Sequence, residues 1–420
     1  MPYSNNNNPT HNYKMNTKIL KGFSYELGPI RPPSEGQDRS LLVRATINCP
    51  WNRCLFCRTY RNQKFVYRKV EEIKNDIDIA KGLHDALNAA SLNIGHNGNV
   101  DNETLMALIN GNPEIYSEKH VGPIELQSRL QSLLNMANWM ASGARTVFLQ
   151  DANSLIMKTD DLIEILHYLK QEFPTIERIT SYARSQTASS KSLADLKKIH
   201  EAGLSRLHVG LESGCDEVLK YMKKGVTSDG HIKGGKKIVE SGISLSEYVM
   251  PGLGGKKLSR SHAIETARVL NEIDPAFIRL RSLIIRNGTD LYDRFEAGEF
   301  EPVSEDEAVE EIRLFLENLD CNSYLASDQM SNLLWEIEGQ LPGDKKALLK
   351  ILDKYLDKSE EDRMKFRLDR RMKSYLSVYG GLEEGLARKI NNAIESMENR
   401  SSDMSSKVED AISALKKGFV

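Results

Sequence analysis

Cysteine is scarce in this chain, with five in 420 residues, and that excludes a disulfide scaffold. Long apolar runs are missing too. None approaches the ~18–20 residues that span a bilayer. The first residues hold no apolar stretch of signal-peptide type, so the expected location is the cytoplasm. An excess of one charge is also absent: 57 Lys and Arg face 59 Asp and Glu, leaving −2. No global field therefore draws the protein to nucleic acid or to an anionic membrane, and only a local basic patch would do so. What is present is 40% hydrophobic and 28% charged residues, enough for a substantial core.

Residues 1–27, with the run Asn5 to Asn8 and Pro2 and Pro9 beside it, read as a disordered tail. Gly28-Pro29-Ile30-Arg31-Pro32-Pro33 is a stiff lead-in that cannot be helical. Strand and helix signals then alternate. Strands are predicted at Leu41 to Ile47, Thr146 to Gln150, Arg178 to Ala183, Arg206 to Glu212, Ser244 to Met250 and Phe277 to Ile285. Helical spacing fills the intervals, except that residues 94–120 read as an inserted loop. Repeated crossovers mean a parallel sheet, with chemistry at the C-terminal ends of its strands. The expected fold is α/β: a partial (β/α)6 TIM-like barrel over 28–300, a helical extension over 301–380 and a charged helical tail over 381–420. After residue 300 no strand is predicted, and Ser304 with Glu307 reads as a capping box.

Three of the five cysteines crowd into Cys49-Pro-Trp-Asn-Arg-Cys54-Leu-Phe-Cys57 at the end of the first strand. A C-x4-C-x2-C cluster suits a soft metal or an iron–sulfur cluster. A ferredoxin site needs a fourth cysteine, and the next here is Cys215. A structural zinc site wants four ligands, and no histidine stands at finger spacing. Three inert core thiols in one polar loop is the bland reading. The fourth reading is a [4Fe–4S] cluster on three cysteines, with one iron open to a ligand.

Other strand ends carry polar groups. Asp151 and Asn153 follow the second strand, where the plain reading is a turn. Tyr182 and Arg184 share one face of the third strand, and a rim arginine suits a carboxylate. His208, Gly210 and Glu212 share a face of the fourth, and Arg279 and Arg281 a face of the sixth. Two inward arginines need anions, so carboxylate contact is the preferred reading. Asp328, Gln329 and Asn332 gather in the polar segment 321–342, read evenly as a lid or a solvated connection. Arg363 to Lys373 is basic, mostly as a solvated face and in the minority as an RNA patch.

With Phe56 before the last cysteine, this loop resembles the radical S-adenosylmethionine (radical SAM) superfamily, in a branch with an elongator-type core. The usual spacing there is C-x3-C-x2-C, so the first spacer has one extra residue. The resemblance covers roughly residues 28–300 and includes Gly210-Leu-Glu212-Ser-Gly at the fourth strand. It implies a [4Fe–4S] cluster on Cys49, Cys54 and Cys57, with S-adenosylmethionine chelating the open iron. It also implies reductive cleavage to a 5′-deoxyadenosyl radical that takes hydrogen from substrate. Asp151 and Asn153 would stand where the family has Gly-Gly-Glu against the methionine amino group, and Glu212 would meet the ribose or amino group. Phe56, Tyr182, Arg184 and Arg281 complete the expected cofactor site. An oxygen-sensitive enzyme with a flavodoxin- or ferredoxin-type electron donor follows, its substrate unnamed. Cys215 and Cys321 are too few for an auxiliary cluster. Asp229-Gly-His231-Ile-Lys-Gly234 matches a cobalamin-site pattern but opens a crossover helix, so it is rejected. The alternatives are a non-catalytic iron–sulfur or zinc protein, and a radical SAM enzyme acting on tRNA.

Overall fold

The structure is a computed structural model that describes residues 12–32 and 39–418. Its strands are β1 (Leu41–Arg44), β2 (Thr46–Ile47), β3 (Val66–Tyr67), β4 (Thr146–Gln150), β5 (Arg178–Ala183), β6 (Leu204–Glu212), β7 (Ser244–Val249), β8 (Phe277–Leu280), β9 (Tyr324–Ala326) and β10 (Gly339–Gln340). One sheet runs β1-β4-β5-β6-β7-β8-β9-β10. Every pairing from β1 to β9 is parallel, and β10 lies antiparallel on β9. No pairing closes β10 onto β1 among the described residues. The partial barrel therefore stands, with a correction to its size. A seventh parallel strand and an antiparallel edge follow residue 300, where none was predicted. Three residues and two residues are too few for a period-2 pattern to register.

The sheet's two faces differ in chemistry because side chains alternate along each strand. Val43, Leu149, Val209, Leu245, Ile278 and Leu325 enter the main core on the helix side. On the other face Phe148, Tyr182, His208 and Tyr248 form a chain of rings 5.3, 5.7 and 6.3 Å apart, centroid to centroid. The helix Val70–Asn93 shows why its sequence folds as it does. Ile73, Ile77, Ala80, Leu83, Leu87 and Ala90 fall on one stripe and are buried. Glu72 accepts from the Lys69 N–H at 3.1 Å, satisfying a donor at the helix start. Each such leucine or isoleucine stabilises the fold by about 1.5–3 kcal/mol on burial.

Two expectations are corrected together at the N-terminus. Residues 12–27 are not a disordered tail, and 94–120 is not a loop. Asn102–Gly111 and Pro113–Tyr116 are helical, the first capped by Asp101, which accepts from the Thr104 N–H at 2.9 Å. Asn112 then holds the N-terminal segment, accepting from the Met15 N–H at 2.9 Å and donating to the Tyr13 carbonyl at 2.8 Å. Met15 and Tyr25 are buried in the main core. Residues 1–11 of the expected tail lie outside the described residues.

At the C-terminus, the helices Glu305–Asn318 and Lys345–Leu356 add Val309, Phe315, Leu316, Leu348 and Leu352 to the main core. The helices Glu360–Tyr379, Glu384–Glu398 and Met404–Lys417 share a second core around Leu368, Ile390, Val408, Ile412 and Leu415. A boundary at 380 thus falls inside one packed unit. The buried Glu305 ties that unit to the sheet domain, bridging to Arg371 at 2.6 Å and Lys416 at 3.3 Å.

Both sheet edges are dressed by polar side chains. At β1, Asn135 accepts from the Leu42 N–H at 3.1 Å and donates to the Ser40 carbonyl at 3.0 Å, while Arg68 donates to the Arg44 carbonyl at 2.8 Å. At β10, the Gln340 N–H donates to Asp344 at 2.8 Å, and Pro342 follows two residues on.

Candidate active site

The cysteine loop leaves β2 at the C-terminal rim of the parallel sheet. Asn48 turns the chain at φ 69°, a region asparagine tolerates better than most residues. Its N–H donates to Asp151 at 2.9 Å and its side chain to the Lys64 carbonyl at 2.7 Å. The Asn52 N–H donates to the Cys49 sulfur at 3.4 Å. Two outside segments clamp the loop through three bonds. The Leu55 N–H reaches the Met222 carbonyl at 3.1 Å, the Leu291 N–H reaches the Leu55 carbonyl at 3.0 Å, and Trp51 Nε1 donates to the Lys223 carbonyl at 2.7 Å. The guanidiniums of Arg53 and Arg184 each lie over the Trp51 ring, at 5.2 and 5.0 Å.

Cations converge on this loop. Lys224 sits 5.9 Å from the Phe56 ring and bridges to Glu212 at 3.0 Å. Arg184 donates to the Lys224 carbonyl at 2.8 Å. Burial works against the Lys224 ammonium, but Glu212 and then Cys54 outweigh it and raise its pKa. Burial likewise pushes the Cys54 thiol up to about 11, while Lys224 and Arg184 act in the opposite sense, favouring the thiolate. Sequence reasoning missed Lys224 and Trp51. Neither has a periodic signal, and only the folded chain carries residues 222–225 over to the loop.

The other predicted residues divide into two groups. Phe56, Arg184 and Glu212 gather around the cysteines. Tyr182 lies deeper, its hydroxyl 3.5 Å from that of Tyr248. Arg281 is exposed, its guanidinium 5.4 Å from the centre of the Tyr248 ring. Asp151 and Asn153, by contrast, are spent inside the protein. Asp151 is fully buried and accepts from Arg44 Nε at 2.9 Å, the Asn48 N–H at 2.9 Å and the Tyr60 hydroxyl at 2.5 Å. It supports the loop from beneath and leaves no oxygen for an ammonium ligand. Asn153 accepts from the Arg184 N–H at 3.0 Å and donates to Thr187 at 2.8 Å. Its role is to fix the β5 end that carries Arg184. Asn153→Ala is therefore expected to lower stability by about 1–3 kcal/mol through lost buried partners, with S-adenosylmethionine affinity little changed. Calorimetry on folded variant decides: a loss of about tenfold in affinity at unchanged melting temperature restores a direct contact.

Arg279 and segment 321–342 are corrected as well. Arg279 finds its anion within the chain, at Asp328 (2.9 Å). Asn332 is buried and accepts from the Ser282 N–H and hydroxyl, both at 2.9 Å, while donating to the Leu280 carbonyl at 2.8 Å. Arg371 donates to the Met330, Ser331 and Asn332 carbonyls. These bonds anchor the segment to the end of β8 and to the helix Glu360–Tyr379. His231 belongs to the helix Ser228–Glu240 and bonds Ser185 at 2.6 Å, and Thr227 caps that helix, as the rejection of a cobalamin site requires. Cys215 packs among Leu55, Val218 and Leu253, and Cys321 is buried in the main core.

A parallel α/β sheet with a three-cysteine loop at its C-terminal rim defines the class. Residues 123–268 match the family model for the radical SAM superfamily. That match spans about a third of the chain. The match covers β4 to β7 and begins after the cysteine loop. A tRNA uridine(34) acetyltransferase of Methanocaldococcus infernus is 28% identical over 130 residues, which is 31% of this chain and 24% of that protein. The chain thus matches about a quarter of that relative's length. Among solved structures, an archaeal Elp3 from M. infernus lacking its N-terminus has 15% identity and a TM-score of 0.38, covering 55% of this chain and 58% of that one. Methylornithine synthase has 14% identity and a TM-score of 0.39, covering 82% of each chain.

Radical SAM proteins bind a [4Fe–4S] cluster and S-adenosylmethionine. The donor set here fits the cluster. Three thiols lie in one loop, Cys49 and Cys54 half-buried and Cys57 exposed, with cations acting on Cys54 and an N–H directed at Cys49. Among the described residues no three His, Cys, Asp or Glu side chains converge on a single metal-ion position. Among the described residues, too, no helix is long and apolar enough to cross a membrane.

Proposed function

We propose that this chain is a radical SAM enzyme that cleaves S-adenosylmethionine reductively and abstracts hydrogen from a small substrate. The observation that carries the reading is the Cys49–Cys54–Cys57 loop, held at the rim of the parallel sheet with Lys224 and Arg184 against it. When bound, the cluster supplies the electron for C–S cleavage. The chain's own residues do the rest. Lys224 and Arg184 offset the negative charge of the thiolates, and Trp51 and Leu55 fix the loop to the turn 222–224. Glu212, on the rim and paired with Lys224, offers a carboxylate to a ribose hydroxyl or an amino group. Arg281 offers a guanidinium to a carboxylate. The ring chain Tyr182–His208–Tyr248 gives the interior a dry wall, which protects a reactive intermediate from water.

The relative's name raises tRNA as a substrate. In this chain most of the basic stretch that suggested RNA is paired internally, with Lys365 and Lys373 left exposed. Arg363 and Arg367 pair with Asp306, Arg370 with Glu336, Arg371 with Glu305 and Lys373 with Asp369. The small-molecule reading is therefore preferred.

The test is anaerobic reconstitution. The wild-type chain is expected to bind about four irons and, once reduced, to release 5′-deoxyadenosine. Cys54→Ala is expected to retain its fold, bind less than about one iron and release none. One equivalent of zinc with no visible chromophore would mean a zinc protein instead.

A further inference from the structure

The residues that follow the cysteines fold back against their loop. Asn48 donates to the Lys64 carbonyl at 2.7 Å, and Asn52 donates to the carbonyls of Tyr60 and, at 3.3 Å, Gln63. β3 pairs with β2 in the register Ile47 to Val66, which sets Val66 and Tyr67 beside the root of the loop. Neighbours on a strand project from opposite faces, and here both reach solvent: Val66 is 43% exposed and Tyr67 58%. The Phe65 ring packs edge-on against Tyr67 at 4.8 Å. Between Trp51 and Val70 the sequence has six cations, Arg53, Arg58, Arg61, Lys64, Arg68 and Lys69, and no carboxylate. In a chain of net charge −2 that is a local field of one sign. Arg61 pairs with Asp290, and Arg68 with Asp76 at 2.7 Å. Among the described residues no carboxylate lies within ion-pair distance of Arg53, Arg58, Lys64 or Lys69, and all four are exposed. Lys223, whose carbonyl holds Trp51, is exposed too. The exposed carboxylates next along the chain are Glu71 and Glu72, and Glu72 is bonded to the Lys69 N–H at 3.1 Å. Cys57 is exposed within this stretch, so a cysteine of the cluster loop reaches the same surface.

We propose that this surface docks a small acidic one-electron carrier protein, whose carboxylates meet Arg53, Arg58, Lys64 and Lys69 and whose apolar contact falls on Val66 and Tyr67. The proposal rests on the reading of the chain as a radical SAM enzyme, because reductive cleavage consumes one electron that must be delivered to the cysteine loop. One electron passes from the reduced carrier to the cluster, and no bond is made or broken in that step. Electron-transfer encounters are small, below about 1,200 Å², which suits one short hairpin with cations beside it. A basic face with aromatics also suits RNA, but the exposed Cys57 within this one favours a redox partner.

The probe is an oxidised acidic flavodoxin, titrated calorimetrically into the reconstituted full-length protein at about 0.01 M and about 0.15 M salt, where charges act over about 30 Å and about 8 Å. Saturable binding at one site is expected at low salt, and about tenfold or more weaker binding at the higher salt. Lys64→Glu with Lys69→Glu, both outside the cysteine loop, is expected to weaken low-salt binding about tenfold, which is about 1.4 kcal/mol. Tyr67→Ala is expected to weaken it at both salts. Cleavage of S-adenosylmethionine driven by reduced flavodoxin should fall with binding, while iron content and cleavage driven by dithionite stay as in the wild type. No binding at low salt overturns the proposal, as does binding that salt leaves unchanged or a folded double variant that binds like the wild type. A basic cytochrome c that binds as tightly as the flavodoxin overturns it too. So does tRNA binding that the double variant abolishes, which assigns the face to RNA. If the double variant does not fold, Lys64→Gln and the wild-type salt dependence decide. A chain without iron, or an iron-loaded chain that dithionite does not drive, refutes the enzyme reading. An iron-loaded chain that dithionite drives but flavodoxin does not bind refutes this proposal alone.

Discussion

Asp151→Ala is expected to cost about 3–5 kcal/mol, the range for removing one partner of a buried ion pair. Arg44 is nine-tenths buried, and without Asp151 its remaining carboxylate is Glu26, a half-exposed group. Burial presses on the Arg44 guanidinium, and Asp151 is the main charge that offsets it. The Tyr60 hydroxyl and the Asn48 N–H lose their acceptor in the same step. The effect then reaches the site, because Asn48 opens the cysteine loop. Chemical denaturation measures the stability loss, and iron content after reconstitution is expected to fall with it. A loss below about 1 kcal/mol, the worth of an exposed pair, would return Asp151 to the list of possible cofactor contacts.

The second large effect is a pH dependence centred on Glu305. Burial alone would raise its pKa, but Lys416 and then Arg371 overcome that and hold it down to about 2, from an ordinary 4.5. A carboxylate depressed in the folded state contributes stability that is fully present above its unfolded value and is lost as pH falls through the folded one. The window therefore runs from about pH 5 down to about pH 2, and the contribution is about 3 kcal/mol. Stability measured across that window is expected to fall steeply in the wild type and less in Glu305→Gln. Because Glu305, Arg371 and Lys416 come from three helices, the C-terminal helices should loosen first, with near-ultraviolet signals from Trp335 changing before far-ultraviolet helix content. Parallel profiles for the two proteins would show that the ion trio does not set acid stability.

The parts of the fold legible in the sequence were those with long periods. Six strands and their crossover helices registered because each is a β-rich, largely apolar run of at least four residues or carries several turns of apolar spacing. Tyr324–Ala326 and Gly339–Gln340 are too short for either, and what makes them strands is the neighbour already waiting at β8. The site was legible where chemistry is packed into one loop, as with Cys49, Cys54 and Cys57. It was misread where a carboxylate at a strand end resembled a ligand. What decides the role of Asp151 is Arg44 on β1 and Tyr60 beyond the cysteines, about a hundred residues upstream, and no local spacing shows that encounter. Lys224 illustrates the reverse. In Met222-Lys223-Lys224-Gly225 it reads as a solvated turn, yet it is the cation nearest in effect to Cys54.

The polar dressing of the sheet edges bears on how copies of this protein meet. An edge strand with unspent N–H and C=O groups is a template on which another chain lays a strand. Here Asn135 and Arg68 have taken those groups at β1, and β10 ends after two residues with Asp344 on its N–H and a proline close behind. Addition of a neighbour's strand to this sheet is thereby hindered at both ends.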